Sequence, residues 1–154
     1  MIGVCRMDKI KEFYQLADTY FRFISGKMMT IDDVSALMEL LMKLYILAVD
    51  LPETAPETTD SAPSGETDAV SITFSEQIPQ FYWEVFDPFV PEDAVCGNIV
   101  EDLSEIAADL QIGMKEFEAG RIGNAVFEWK FGLHRHWGGH TVDVLRAFHA
   151  IRTR

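Results

Sequence analysis

Residues 98–151 read NIVEDLSEIAADLQIGMKEFEAGRIGNAVFEWKFGLHRHWGGHTVDVLRAFHAI. Asn98 is a good helix N-cap, and Glu101 sits three residues on. Ile99, Leu103, Ile106, Leu110, Met114 and Phe117 then recur at helical spacing and form one apolar stripe. Gly120 supplies a C-cap. A last helical stretch runs from about Ile122 to Ile151, with Val126, Leu133, Trp137, Thr141, Val144, Phe148 and Ile151 on one arc. Lys130 falls on that arc if the helix is unbroken, while Gly132, Gly138 and Gly139 mark where it bends or shifts register. A turn as short as Gly120-Arg121 makes the two stretches an antiparallel hairpin, in which facing residue numbers sum to about 241.

That register brings polar groups together. His136, His140 and Asp143 share one flank of the last stretch, whereas His134 and His149 fall on the other side. Asp102, Glu105, Asp109 and Glu116 cluster on one edge of the preceding stripe. Folding the hairpin sets Glu105 opposite His136, Glu101 or Asp102 opposite His140, and Asp109 opposite Gly132, where the missing side chain leaves room. A semi-buried His–carboxylate layer between the two helices is expected, with Trp129, Trp137 and Phe131 around it as core.

Three chemistries fit such a layer. The first is structural: Glu105, Asp109, His136, His140 and Trp137 satisfy and orient one another and fix register. The second is a divalent metal site, with His136 and His140 as ligands completed by Glu105, Asp102 or Asp143, a donor set suited to Zn, Fe or Mn. The third is acid–base work by a histidine tuned by a carboxylate. The sequence has no paired Glu-x-x-His repeat, no HExxH, no nucleophile elbow and no phosphate loop, so no named reaction follows.

Upstream, residues 8–25 place Ile10, Phe13, Ala17, Tyr20 and Ile24 on one helical face, ended by Ser25-Gly26. Thr30, with Asp33 three residues later, begins a second helix whose core face is Val34, Leu37, Leu41, Leu44 and Ala48, stopped by Pro52. The two should form another antiparallel hairpin. Residues 52–69, PETAPETTDSAPSGETDA, carry no bulky apolar side chain and read as a mobile acidic loop, a tolerated surface insertion. Val70, Ile72 and Phe74 alternate like a short strand with no evident partner. The aromatic block Phe81, Tyr82, Trp83, Phe86 and Phe89 reads as a short helix over 76–86, ended by Asp87-Pro88 and lying as a lid on one end of the core.

Charge excludes some partners. Twenty-five acids against 13 Lys and Arg give −12, so nucleic acid and anionic membrane surfaces are not expected partners. The imbalance is local: residues 84–118 carry ten acids and one base, whereas six bases and two acids follow Gly120. The two cysteines form no disulfide framework, Met1–Met7 has no signal-peptide core, and no run approaches a membrane span, which together point to the cytoplasm.

The segment FEWKFGLHRHWGGHTVDVLRAFHAI, residues 127–151, resembles the end of a bacterial family known as domain of unknown function 5063. The resemblance rests on Trp129 and Phe131, then His136-Trp137-Gly138 and His140, then Arg146-Ala147-Phe148-His149. DLSEIAADL at 102–110 is similar to the acidic helix of that family, and so is WEVFDPF at 83–89. Val144-Leu145 and Phe148 are conservative departures from Ala-Leu and Leu. The resemblance implies an all-helical bundle and carries no activity with it.

The expected molecule is all-α: an up-and-down antiparallel helical bundle of four long helices plus a short aromatic-rich helix. It is expected to be a single domain over residues 1–154, with the 52–69 loop inside it. Its expected function is that of a cytoplasmic protein acting through a protein partner without catalysis. The alternative is a divalent-metal-binding bundle, or an enzyme built on that metal, using the His–carboxylate cluster between the last two helices.

Overall fold

The computed structural model describes residues 2–56 and 66–154, with side chains from Arg6 onward. Five helices dominate: α1 (Ile2–Ile24), α2 (Ile31–Asp50), α3 (Ile99–Glu118), α4 (Ile122–Arg135) and α5 (Trp137–Arg152). The stripes read from sequence meet in one core, in which Phe13 lies 4.8 Å from Trp129 and 6.4 Å from Trp137 between ring centroids. Tyr20 is fully buried there and donates its hydroxyl to the Leu103 carbonyl at 2.8 Å, so burial brings no unsatisfied donor.

The helix ends follow local chemistry. The Asp33 carboxylate accepts the Thr30 backbone N–H at 2.9 Å, holding the first turn of α2. Asn98 Oδ1 accepts from Val100 N at 2.9 Å and Glu101 N at 3.4 Å, so the start of α3 is capped. The C-terminus of α2 is closed from a distance: buried Lys130 donates its ammonium to the Val49 and Leu51 carbonyls at 2.6 and 2.8 Å.

Three expectations need correction. The last helical stretch is two helices, not one long one, so the five helices among the described residues are not the expected four long ones plus a short one over 76–86. His136 stands between α4 and α5 with φ −149° and ψ −81°, outside the helical region. The break is tight, and a Cβ at Gly138 would collide with the Leu133 carbonyl oxygen.

The expected short helix over 76–86 is instead a turn followed by β3 (Phe81–Glu84), which pairs antiparallel with β4 (Val95–Asn98). Pro79 removes an amide donor inside that stretch, and aromatic residues favour a pleated surface. The aromatic block is no lid: Phe81, Trp83, Phe86 and Phe89 are 67, 71, 78 and 93% exposed.

The unpartnered strand has a partner. β2 (Thr73–Phe74) pairs parallel with β1 (Met28–Met29), immediately after α1.

Of the acidic loop, residues 57–65 lie outside the described residues. At its described C-terminal end, buried Gln111 accepts Asp68 N–H at 2.8 Å and donates to Asp68 O at 3.2 Å.

Candidate functional site

The seam between α3 and the α4–α5 pair holds the polar layer. Gly132 faces α3 without a side chain; a Cβ there would lie 2.7 Å from Trp137 Cδ1 and 3.4 Å from Asp109 Oδ2. That vacancy lets the Trp137 indole and the Asp109 carboxylate share one level of the seam. Asp109 Oδ2 then meets His136 Nδ1 at 2.8 Å, and two turns earlier on α3 Asp102 Oδ1 meets His140 Nδ1 at 2.8 Å. The two imidazoles stand edge to face, centroids 4.7 Å apart at 90°, with Nε2 atoms 3.2 Å apart.

The carboxylates decide the tautomers. An ionised carboxylate only accepts, so each Nδ1 carries hydrogen and donates it. In the neutral rings both Nε2 atoms are then lone-pair acceptors that face one another. Two acceptors at 3.2 Å repel unless a cation sits between or beside them. The hydrogen bond to Asp102 raises the pKa of His140 above its ordinary value, although partial burial opposes it.

The remaining expected residues divide. Glu105 Oε2 is 4.0 Å from His136 Nε2, on a side chain 53% exposed, at the rim of the pair. Asp143 turns to Glu84 instead; burial, the Glu84 charge and the Glu84 hydrogen bond push its pKa up to about 6. Trp137 lies under the layer in the core and donates its indole N–H to the Trp129 carbonyl at 3.0 Å. Glu116 leaves the seam: it is buried and takes Arg121 at 2.6 and 2.9 Å and Asn124 at 3.1 Å, which ties the α3–α4 turn. Phe131 is 51% exposed and stacks on Phe127, so it does not enclose the layer. Among the described residues, no three His, Cys, Asp or Glu side chains converge as a ready-made metal cage.

Two site residues come from outside the two polar flanks. Tyr82 faces inward on β3 opposite Gly97, where a Cβ would lie 2.6 Å from the Tyr82 ring. The ring lies across that glycine and carries its hydroxyl to Asp102 Oδ2 at 2.6 Å and Glu84 Oε2 at 2.8 Å. Burial and the two carboxylates raise the Tyr82 pKa far above the ordinary tyrosine value, so it stays a donor. Phe81 and Trp83 face out while Tyr82 and Glu84 face in, an alternation that three aromatics in a row conceal in the sequence.

The family described as Domain of unknown function (DUF5063) matches residues 6–154. This chain belongs to that family. Its fold is shared with the crystal structure of protein BF1032 from Bacteroides fragilis, at a TM-score of 0.72 and 18% identity, covering 95% of this chain and 96% of that one. No curated protein matches the sequence. Among the described residues of this DUF5063 chain, no helix is long and apolar enough to cross a membrane.

Proposed function

We propose that this DUF5063 protein binds a divalent transition metal at the His136–His140 pair. The observation that carries the reading is the pair of Nε2 atoms 3.2 Å apart, with both Nδ1 atoms committed to carboxylates. Two imidazoles on one tetrahedral zinc, each at a Zn–N distance of about 2.0–2.1 Å, have nitrogens about 3.3 Å apart. Asp102 and Asp109 occupy the outer positions that orient metal-bound imidazoles and raise their basicity. Glu105 reaches the ion by side-chain rotation, and solvent takes the remaining positions, which leaves a Lewis-acidic centre open to an exchangeable ligand.

Calorimetric titration of chelator-stripped protein with zinc chloride tests this at about pH 7.5, where an ordinary imidazole is neutral. One ion per chain is expected. His136→Gln or His140→Gln should abolish uptake, and Glu105→Gln should weaken it without moving the melting temperature. His134→Gln and His149→Gln, on exposed histidines away from the pair, should leave it unchanged. A pair that shares only a proton predicts the opposite: no heat from zinc, and one histidine titrating with both rings. That outcome ends the metal reading.

A second reading, docking of a protein partner without catalysis, is favoured by Phe86 and Phe89, which stand 78 and 93% exposed near the turn of the β3–β4 hairpin. Unchanged partner recovery with a Phe86→Ser, Phe89→Ser chain would dispose of it.

A further inference from the structure

A groove of about 370 Å³ runs between the outer face of β3 and the C-terminal half of α5. Its walls come from two periodicities. Phe81 and Trp83 are alternate residues of one strand, so both rings stand on the solvent face. Arg146, Ala147 and Ala150 share one face of α5, and Arg154 follows just beyond the helix. The alanines make the hollow and the arginines bound it.

The chemistry of this groove departs from the rest of the molecule. The chain carries −12, yet no residue lining the groove is acidic and two are arginines. Among the described residues, neither Arg146 nor Arg154 is ion-paired, whereas Arg121 and Arg22 both are. Trp83, a large amphipathic ring, is left 71% exposed beside them.

We propose that the groove binds a small aromatic carboxylate. The flat apolar body lies against Trp83 and Phe81 over the alanine floor, and the carboxylate is taken by the guanidinium groups of Arg146 and Arg154. Planar guanidinium matches carboxylate in a forked pair, and a ring stacked on tryptophan excludes the water that would weaken it. The volume suits a ligand of two fused rings. Tyr82 forms part of the groove wall, and its hydroxyl holds Asp102, the partner of His140. The groove and the histidine pair are therefore neighbours, but the carboxylate site does not depend on a metal.

Titration of the metal-free full chain with naphthoate, followed by calorimetry and Trp83 fluorescence, tests the assignment. One site is expected. Arg146→Gln and Arg154→Gln should each weaken it about tenfold, the loss that follows from removing one charge-assisted pair. Neutral naphthamide should bind at least about tenfold more weakly than naphthoate. Both arginines are solvent-facing, so the variants are expected to keep the parent's circular dichroism. Naphthoate binding that equals naphthamide binding, or that survives the double arginine variant, overturns the proposal. So does an absence of heat at millimolar naphthoate. The same titration on His140→Gln protein separates this site from the cation site: retained naphthoate binding is the expected result.

Discussion

At the scale of single residues, the carboxyl pair Glu84–Asp143 is an unequal one. The two acids can share a hydrogen bond only while one of them holds a proton. Asp143 is raised from 3.8 to about 6, first by burial and then by the charges of Glu84 and Asp102, with His140 pulling the other way. A raised carboxyl pKa means that the folded state holds this proton more tightly than the unfolded chain. The stabilising contribution is complete below about pH 4 and is lost as pH rises through about 6. Near neutrality the pair is ionised and repulsive. Asp143→Asn keeps the shape and a hydrogen-bond donor while removing the charge. Discounted for its partial exposure, the substitution should stabilise the protein by about 1–2 kcal/mol at neutral pH and by nothing below about pH 4. Urea unfolding at the two pH values measures this, and a gain of equal size at both would contradict the shared proton. Glu105, facing water at the rim, should be nearly silent in the same assay.

At the scale of elements, what was legible depended on whether the partner of a residue lay within one helical period or across the chain. The stripe of α3, its Asn98 cap and its acidic edge repeat at helical spacing, so the turn at Gly120 indicated Asp102 opposite His140, but His136 takes Asp109, expected opposite Gly132, and leaves Glu105 4.0 Å away. The break at His136 was not legible, because the apolar arc from Val126 to Ile151 continues across it and periodicity is blind to one non-helical residue. The β3–β4 hairpin was hidden for another reason. Tyr82 pairs with Gly97, and nothing local marks a four-residue strand whose mate adjoins a helix cap. Tyr82 and Glu84 were lost from the site together with the strand that aims them. Lys130 shows the same limit: its place on an apolar arc looked like a conflict until α2 supplied two carbonyls for its ammonium. That bond crosses between elements and closes a helix end that has no glycine cap. Lys130→Met keeps the buried stem and removes the donors, leaving the Val49 and Leu51 carbonyls unpaired. The expected cost is about 1–3 kcal/mol in urea unfolding. A change under about 0.5 kcal/mol would mean that water replaces the ammonium without loss.

At the scale of the molecule, the core and the charge distribution pull in opposite directions. All five helices contribute to one apolar cluster, and both Trp129 and Trp137 are wholly buried in it, so unfolding should be registered by the two indoles together. Outside that core the chain carries twelve more acids than bases. Among the described residues several ion pairs are exposed ones, such as Lys43–Glu39 and Lys9–Asp50, whose individual worth is small and salt-sensitive. The paired charges thus give up little when salt is added, while the unpaired excess of acid loses its mutual repulsion over a Debye length that shrinks from about 30 Å at 0.01 M to about 6 Å at 0.3 M. The second effect is the larger, because the repulsion is summed over the whole surface and the attractions are few. Raising sodium chloride across that range should therefore raise the melting temperature by a few degrees, roughly 1 kcal/mol. Trp83 is exposed and would blur the signal, so a Trp83→Phe chain followed by fluorescence gives the clean reading. A melting temperature that falls with salt would show that the seam's ionic contacts, rather than the excess of acid, govern the stability of the fold.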